Sequence, residues 1–156
     1  MKEVTLYTDG ACSGNPGRGG YGVILEYAGH EKEISAGYRM TTNNRMELMG
    51  VITGLEALKE SCAVTLYSDS KYVVDAIRLG WAEGWRKNNW RRRGGKALNS
   101  DLWARLLAAK EKHSLSCVWV KGHAENEKNN RCDEMAVAAA AGKNLLRDTG
   151  YENESL

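Results

Sequence analysis

Two short stretches of this 156-residue chain nearly repeat one another, and each ends in an aspartate. The first is Val-Thr-Leu-Tyr-Thr-Asp at 4–9, and the second is Val-Thr-Leu-Tyr-Ser-Asp at 64–69. β-Branched and aromatic residues dominate both stretches, which predicts two similar strands. If the strands are parallel, Asp9 and Asp69 are neighbours at one edge of a sheet, where open α/β sheets place their sites. The alternative is that each aspartate only begins a turn.

The segment between the two repeats predicts a hairpin followed by a helix. Residues 19–28 and 31–41 have strand composition around a short loop, so the first three strands should form an antiparallel meander. The helix should run from about Asn44 to Glu60, with Asn44 and Glu47 at capping-box spacing. Glu47 lies at the border of the apolar stripe, where its carboxylate could lean over the sheet edge without being buried. A right-handed crossover would then make the repeated strands parallel.

The remainder of the chain predicts an alternation of helices with one more strand. The predicted elements are helices at 71–79, 100–112 (with Ser100 as N-cap) and 127–141, and a strand at 115–120. We expect a mixed α/β domain at 1–142, with a five-stranded sheet and helices on both faces. Residues 143–156 show no periodicity and are expected to form a flexible tail, on which a protein partner could dock.

Composition favours a globular cytoplasmic protein. The chain is 42% apolar and 27% charged, and has no apolar run near the ~18–20 residues that a membrane span needs. The first residues run directly into a strand, so we expect no signal peptide and no membrane association. The four cysteines are widely spaced, which favours free thiols in a reducing cytoplasm.

Four carboxylates are predicted to converge on one sheet edge. Asp9 and Asp69 end strands, Glu47 begins a helix behind them, and Asp133 lies early in the last helix. Clustered carboxylates repel one another unless a cation lies among them. Oxygen ligands without His or Cys suit Mg²⁺, with Mn²⁺ as a substitute. Any one of these acids alone would more often be an ordinary surface charge.

Several longer motifs resemble those of bacterial-type ribonuclease H, type 1. They occur in the family's order and spacing over about residues 3–142, and they are Tyr-Thr-Asp-Gly-Ala-Cys-Ser-Gly-Asn-Pro-Gly (7–17), Thr-Thr-Asn-Asn-Arg-Met-Glu-Leu (41–48), Ser-Asp-Ser (68–70), Val-Lys-Gly-His-Ala (120–124) and Asn-Arg-Cys-Asp-Glu (130–134). The resemblance implies a ribonuclease H-like fold and a monomeric, Mg²⁺-dependent endoribonuclease. Its substrate would be the RNA strand of RNA–DNA hybrids, and its products would have 5′-phosphate and 3′-hydroxyl ends.

The resemblance also implies roles for individual residues. Asp9, Glu47, Asp69 and Asp133 would be the ligands of two metal ions that act on the attacking and leaving oxygens. His123 matches the family's mobile catalytic histidine, whose proton can move near neutral pH. The alternative for a lone histidine is a surface or capping role, which we expect for His30 and His113.

A hybrid duplex offers a wide minor groove with 2′-hydroxyls on one strand, and small residues such as Gly10 would let the backbone approach it. By resemblance, the positions that contact the hybrid or a DNA phosphate are Cys12, Asn15, Thr42, Asn43 and Asn44. Asn43 and Asn44 could also cap the helix. Lys71 stands where relatives commonly have Gln, which would alter a contact to the RNA strand.

Residues 81–96 combine three tryptophans with a cluster of cations. The candidate nucleic-acid contacts are Trp81, Trp85, Arg86, Lys87, Arg91, Arg92, Arg93 and Lys96, with no acid between residues 86 and 96. Such a charge run is more often a solvated face. The interleaved aromatics instead favour a protruding basic pair of helices that binds a phosphate backbone, as in the family. Trp81 and Trp85 could pack at its base or line the DNA channel.

Two function classes are alternatives to an enzyme. A non-catalytic hybrid-binding module should lack at least one of the metal ligands, and none is missing. A strand-transferring recombinase on the same fold would use fewer carboxylates and would need further domains. Metal-dependent cleavage tests the first alternative, and strand transfer on DNA ends tests the second.

Overall fold

The computed structural model describes residues 1–121 and 126–154 of the chain. Its elements, in chain order, are β1 (Lys2–Ser13), β2 (Gly17–Tyr27), β3 (His30–Thr41), α1 (Asn43–Glu56), β4 (Cys62–Ser68), α2 (Lys71–Arg78), α3 (Trp81–Lys87), β5 (Arg91–Arg92), β6 (Gly95–Lys96), α4 (Ser100–Lys110), β7 (Ser114–Trp119), α5 (Glu127–Ala140) and α6 (Thr149–Glu154).

The main sheet has five strands in the order β3-β2-β1-β4-β7. The first three strands form an antiparallel meander, and β4 and β7 run parallel to β1. Both the meander and the parallel pairing of the repeated stretches are therefore confirmed. The pairing aligns the repeats residue by residue, from Val4 opposite Val64 to Tyr7 opposite Tyr67.

Helices cover both faces of this sheet. Gly54 of α1 lies against Leu6, whereas Gly22 of β2 lies against Cys132 of α5. Leu6 and Thr8 are two residues apart on β1 and therefore share a face, as does Val23, the partner of Thr8 on β2. Gly22 is adjacent to Val23, so it lies on the opposite face of the sheet. The core lies mainly beneath α1 and α4, where Met46, Trp103 and Leu106 are fully buried. In the described part of the chain, no helix is long and apolar enough to cross a membrane.

Two predicted helix starts are wrong. Thr42, not Asn44, caps α1, because its hydroxyl accepts a hydrogen bond from the Arg45 backbone N–H at 3.2 Å. Glu47 turns inward and does not close a capping box. For α4, the N-cap is Asn99 and not Ser100. The Asn99 side chain instead contacts Arg45 and Tyr72, so it is not available to cap its own helix.

The predicted basic helix pair at 81–96 is one helix followed by a hairpin. After α3 the chain reverses through Asn89 and Trp90, both with positive φ, and β5 then pairs with β6. Two consecutive glycines, Gly94 and Gly95, also have positive φ, which permits the tight turn between the two strands. A short antiparallel hairpin of β5 and β6 therefore takes the place of the predicted second helix. Residues 81–96 are called the protrusion.

The expectation of a structureless tail needs correction for residues 143–154. Leu146 forms a bridge to β3, where its backbone N–H donates to Gly37 and its carbonyl accepts from Arg39, both at 2.8 Å. Asp148 is buried and accepts hydrogen bonds from Thr41 and Arg45. Residues 143–154 show no hydrophobic periodicity in the sequence because hydrogen bonds of the backbone and of Asp148 attach them to the domain.

Candidate active site

Asp9 and Asp69 lie where the two repeated strands part. Successive partners in the β1–β4 ladder are sixty residues apart, and the last pair is Tyr7 opposite Tyr67. Asp9 and Asp69 are also sixty residues apart, and each lies two residues after its tyrosine in this last pair. Asp69 lies just after β4, but β1 continues past Asp9 to Ser13 because it still pairs with β2. The prediction that the first strand ends at Asp9 is wrong, while the predicted proximity of the two aspartates is confirmed.

Glu47 reaches the site because α1 packs unusually closely on β1. A Cβ added to Gly10 would lie 2.6 Å from the Glu47 backbone nitrogen and 2.8 Å from its Oε1 atom. Only a glycine fits there, so Gly10 has a packing role beside any contact with substrate. Glu47 is only 4% exposed, which corrects the expectation of a border position outside the core.

Three of the four predicted carboxylates form one compact cluster. Ligand oxygens of Asp9, Glu47 and Asp69 all lie within 4.8 Å of one another. Asp133 lies outside this group of three, on the first half of α5, where it is half-buried. The charge of Asp133 nevertheless contributes to the raised pKa of Asp9. We call these four residues the carboxylate site.

The carboxylate site disfavours its own negative charge. Burial raises the pKa of Asp9 to about 8, and the charge on Asp69 adds to this shift. Burial also raises the pKa of Glu47 well above its ordinary value, with Asp9 and Asp69 acting in the same direction. Among the described residues, no lysine or arginine forms an ion pair with any of the four acids. The negative charge must therefore be compensated by a bound proton or by a cation from outside the described chain.

A divalent cation fits this donor set. The Glu47 Oε1 atom is buried and has no hydrogen-bond partner, an arrangement that is costly unless a ligand binds there. Carboxylate oxygens without His or Cys suit hard cations such as Mg²⁺. Arg45, although only two residues from Glu47, cannot compensate, because its guanidinium is bound by Asp101 and Asp148.

A tryptophan supports the segment that contains Asp69. The indole Nε1 of Trp119, at the end of β7, donates to the Asp69 carbonyl at 3.1 Å. The Lys71 ammonium lies 5.2 Å from the centre of the same ring, within cation–π distance. Lys71 is thus held beside the carboxylate site, on the segment that follows β4.

The predicted groove-contacting residues form a second surface next to the carboxylates. The Asn15 side chain accepts a hydrogen bond from the Asn43 backbone N–H at 3.1 Å, which joins the β1–β2 turn to the start of α1. The Cys12 thiol donates to the Gly14 carbonyl at 2.8 Å. Thr42 caps the helix, whereas Asn44 is exposed and makes no capping contact.

The candidate contacts on the protrusion separate into two groups. Trp85 packs edge-on against buried Trp103, with ring centres 5.9 Å apart, so it anchors the protrusion, while Trp81 is 48% exposed. Arg86 is paired with Glu83 and Glu111, contrary to the expectation of an uncompensated cation. The cations that are exposed and make no ion pair with a described acid are Lys87, Arg91, Arg92, Arg93 and Lys96.

Two further residues belong to the site's surroundings, and one predicted residue cannot be placed. The sequence pattern singled out neither Trp119 nor Asn129, whose amide contacts both repeated strands. Asn129 precedes Asp133 by four residues and shares its helix face, but this spacing does not predict its contacts with the two strands. His123 lies outside the described residues.

Comparison with known proteins gives a consistent result. The family model described as RNase H matches residues 1–141. The ribonuclease H of Desulforamulus reducens is 61% identical over 149 residues, covering 95% of this chain and 94% of that protein. That of Syntrophus aciditrophicus is 58% identical over 152 residues, covering 97% and 88%.

Solved structures agree with the sequence comparisons. LC9-RNase H1, a type 1 RNase H with the type 2 active-site motif, superposes with a TM-score of 0.83 at 33% identity, covering 99% of this chain and 81% of that one. LC11-RNase H1, solved in complex with an RNA/DNA hybrid, has a TM-score of 0.65 at 25% identity, covering 88% and 96%. The predicted fold is confirmed.

Proposed function

The chain belongs to the type 1 ribonuclease H family, and on that premise we propose that its carboxylate site holds the catalytic metal. The protein is an endoribonuclease that acts on the RNA strand of RNA–DNA hybrids. The observation that supports the metal site most strongly is the cluster of Asp9, Glu47 and Asp69 within 4.8 Å, with one buried oxygen unpartnered. Asp133 completes the proposed ligand set.

The family depends on divalent metal, and we propose Mg²⁺ as the ion, with Mn²⁺ as a substitute. In this reaction a water oxygen bonds to the phosphorus and the bond to the 3′-oxygen breaks, which leaves 5′-phosphate and 3′-hydroxyl ends. Divalent ions held by the four acids would stabilise negative charge on the attacking and the leaving oxygen. The fold keeps the four carboxylates close together despite their electrostatic repulsion, so that they can bind the metal. The rigid strand ends and the buried position of Glu47 support this role. A monomeric state and a cytoplasmic location remain predictions.

We propose that the surface formed by Cys12, Asn15, Thr42, Asn43 and Asn44 binds the minor groove of the hybrid. The hydrogen bond between Asn15 and Asn43 supports this, because it presents both segments beside the carboxylates as one surface. Exposed Asn44 is free of a capping role and is suited to a hydrogen bond with a ribose 2′-hydroxyl. Gly10 and Lys71 are proposed as further contacts with the hybrid.

One gel experiment tests the proposed function. RNA–DNA hybrid, RNA duplex, DNA duplex and single-stranded RNA are incubated with the protein in Mg²⁺ and in EDTA. We expect cleavage of the RNA strand of the hybrid with Mg²⁺ but not with EDTA, and no cleavage of the other three substrates. Hybrid binding without cleavage would favour the non-catalytic module, and joining of DNA ends would favour the recombinase.

His123 is proposed to carry a proton during water activation or product release, an inference from its motif alone. A positioned acid–base group contributes ~10²–10⁴-fold, and a helper beside a metal should lie at the low end. His123→Ala should therefore lower kcat by roughly 10²-fold with little change in KM. Steady-state kinetics on a hybrid across pH 6–9 measures this; an unchanged kcat over that range would leave His123 a surface residue.

A further inference from the structure

One side chain connects three elements at the point where the repeated strands part. The Asn129 amide nitrogen Nδ2 donates to the Thr8 carbonyl at 3.1 Å and to the Tyr67 carbonyl at 3.0 Å. These carbonyls lie one residue before Asp9 and two residues before Asp69. The side chain is buried, with Asn129 only 7% exposed, so both hydrogen bonds are shielded from water. Asn129 thus bridges the ends of β1 and β4 where their own ladder stops.

Asn129 also belongs to the helix that presents the fourth carboxylate. It lies in the first turn of α5, and Asp133 follows four residues later on the same face. The start of the helix is held by Asn126, whose side chain accepts from the backbone N–H groups of Lys128 and Asn129. A shift of Asn129 along the helix axis would therefore move Asp133 by a similar amount.

Other contacts of α5 constrain its position along the axis less strongly. The helix backbone lies directly on glycines of β2, since a Cβ at Gly22 would be 2.3 Å from the Cys132 carbonyl. These glycines set the distance between helix and sheet. The Cys132 thiol also donates to the Tyr7 carbonyl at 3.4 Å, but a thiol is a weak donor. Lys128 and Arg131 form ion pairs with glutamates of β2 and β3 that are partly exposed, and such pairs contribute little.

We propose that Asn129 is a positioning residue that holds Asp133 at the correct distance from Asp9 and Asp69. The proposal rests on the proposed metal site, and it assigns Asn129 no contact with metal or substrate. Groups that orient metal ligands typically change metal affinity or activity by about 10–100-fold when they are removed. Asn129 should act in this range through the geometry of Asp133.

The test compares Asn129→Ala with Asn130→Ala in the full chain. Asn130 is the adjacent residue, and its side chain makes no hydrogen bond to the residues that the structure describes. Calorimetric titration with Mn²⁺ measures metal affinity without turnover, and hybrid cleavage gives kcat and KM. Asn129→Ala should weaken Mn²⁺ binding and lower kcat, each by about 10–100-fold, with KM for the hybrid unchanged. Asn130→Ala should match the wild type.

A second variant keeps the test decisive if Asn129→Ala does not fold. Asn129→Gln retains the amide donors one methylene farther from the helix, so it should fold and should shift both quantities in the same direction. Wild-type Mn²⁺ affinity and kcat in a folded variant, even with a lowered melting temperature, would make Asn129 a structural residue only. If the wild type neither binds Mn²⁺ nor cleaves the hybrid, the proposed function itself has failed.

Discussion

Thr42 and Asn44 differ at the start of α1, where the sequence predicted both as hybrid contacts and Asn44 as the cap. The Thr42 hydroxyl caps the helix, and Asn44 points its polar side chain to solvent. Substitution of Asn44 therefore removes a proposed substrate contact without removing the cap, whereas substitution of Thr42 removes the cap as well. This matters because α1 also delivers Glu47, so a loss of helix stability could be mistaken for a loss of substrate contact.

Asn44→Ala should lower kcat/KM for the hybrid by roughly 2–10-fold, the value of one hydrogen bond of about 0.5–1.5 kcal/mol. Its free energy of unfolding should stay within about 0.5 kcal/mol of the wild type, as for most surface substitutions. Thr42→Ala is the comparison, and it should cost about 0.5–2 kcal/mol of stability through the lost cap. Urea unfolding and cleavage kinetics measure both. Activity of Asn44→Ala that falls only in step with stability would make Asn44 part of the helix start and nothing more.

At the scale of an element, the protrusion has an anchored side and an exposed side. Trp85 and Trp90 pack against the core, and Ala97 at its end is buried. The Ala97 backbone N–H donates to the Trp90 carbonyl at 2.7 Å, which closes the hairpin. The exposed cations are therefore displayed on a supported hairpin, which favours binding to phosphates over a purely solvated face.

Replacing Arg91, Arg92 and Arg93 together by Ala should weaken hybrid binding in a salt-dependent manner. Each lost phosphate contact flattens the slope of log K against log[salt] by ~0.9, so the triple variant should change it by at most about 2.7. KM should rise, kcat at saturation should stay nearly constant, and the effect should be independent of base sequence. The measurement is KM at several KCl concentrations.

Arg86→Ala is the matched control for the triple variant. The Arg86 charge is already paired with Glu83 and Glu111, so its removal should leave the salt slope nearly unchanged. Parallel slopes for the wild type and the triple variant would mean that the cluster is only a solvated face and that other residues hold the hybrid.

At the scale of the whole molecule, one buried arginine joins the chain's end to the helix that delivers Glu47. Arg45 is 1% exposed and is bound by Asp101 and Asp148, from α4 and the segment after α5. Burial alone would lower the pKa of Arg45, but hydrogen bonds and charge from the two aspartates raise it. Asp148 also accepts from Thr41 at 2.6 Å, so its loss would leave two buried donors short of a partner.

Asp148→Asn should lower the free energy of unfolding by about 1.5–3 kcal/mol, because Arg45 loses one charged partner but keeps its ion pair with Asp101. Glu60→Gln is the control, because it removes a carboxylate from an exposed pair with Lys2 and should cost no more than about 1 kcal/mol. Urea unfolding monitored by tryptophan fluorescence measures both. Equal and small losses would show that the C-terminal segment adds little to the stability of the domain.

Much of the fold and site follows from local patterns. The sequences of the two repeats predict that their strands are parallel and that Asp9 and Asp69 are neighbours. This was possible because side-chain alternation and strand composition are local properties. The meander and the four main helices were predicted for the same reason. The predicted motifs also identified the family.

The rest depends on which surfaces meet, and no local pattern contains that information. The burial of Glu47 follows from the close approach of α1 to Gly10, which a helical period does not predict. The Arg45 cluster joins residues 45, 101 and 148, so the ordered C-terminal segment looked unstructured when read alone. Asn129 resembled an ordinary polar residue near a helix start until Thr8 and Tyr67 were found beside it.

The central claim is that the carboxylate site holds the metal that cleaves RNA, and Asp9→Asn tests it most directly. The rate of a single turnover on an RNA–DNA hybrid in Mg²⁺ should fall by at least about 10³-fold, since such ions supply several kcal/mol. Hybrid binding in EDTA should persist, because the asparagine has the size of the aspartate and adds no negative charge. Glu134→Gln, which removes a charge from an exposed neighbour of Asp133, should cleave normally. A near-normal rate for Asp9→Asn in Mg²⁺ would contradict the assignment.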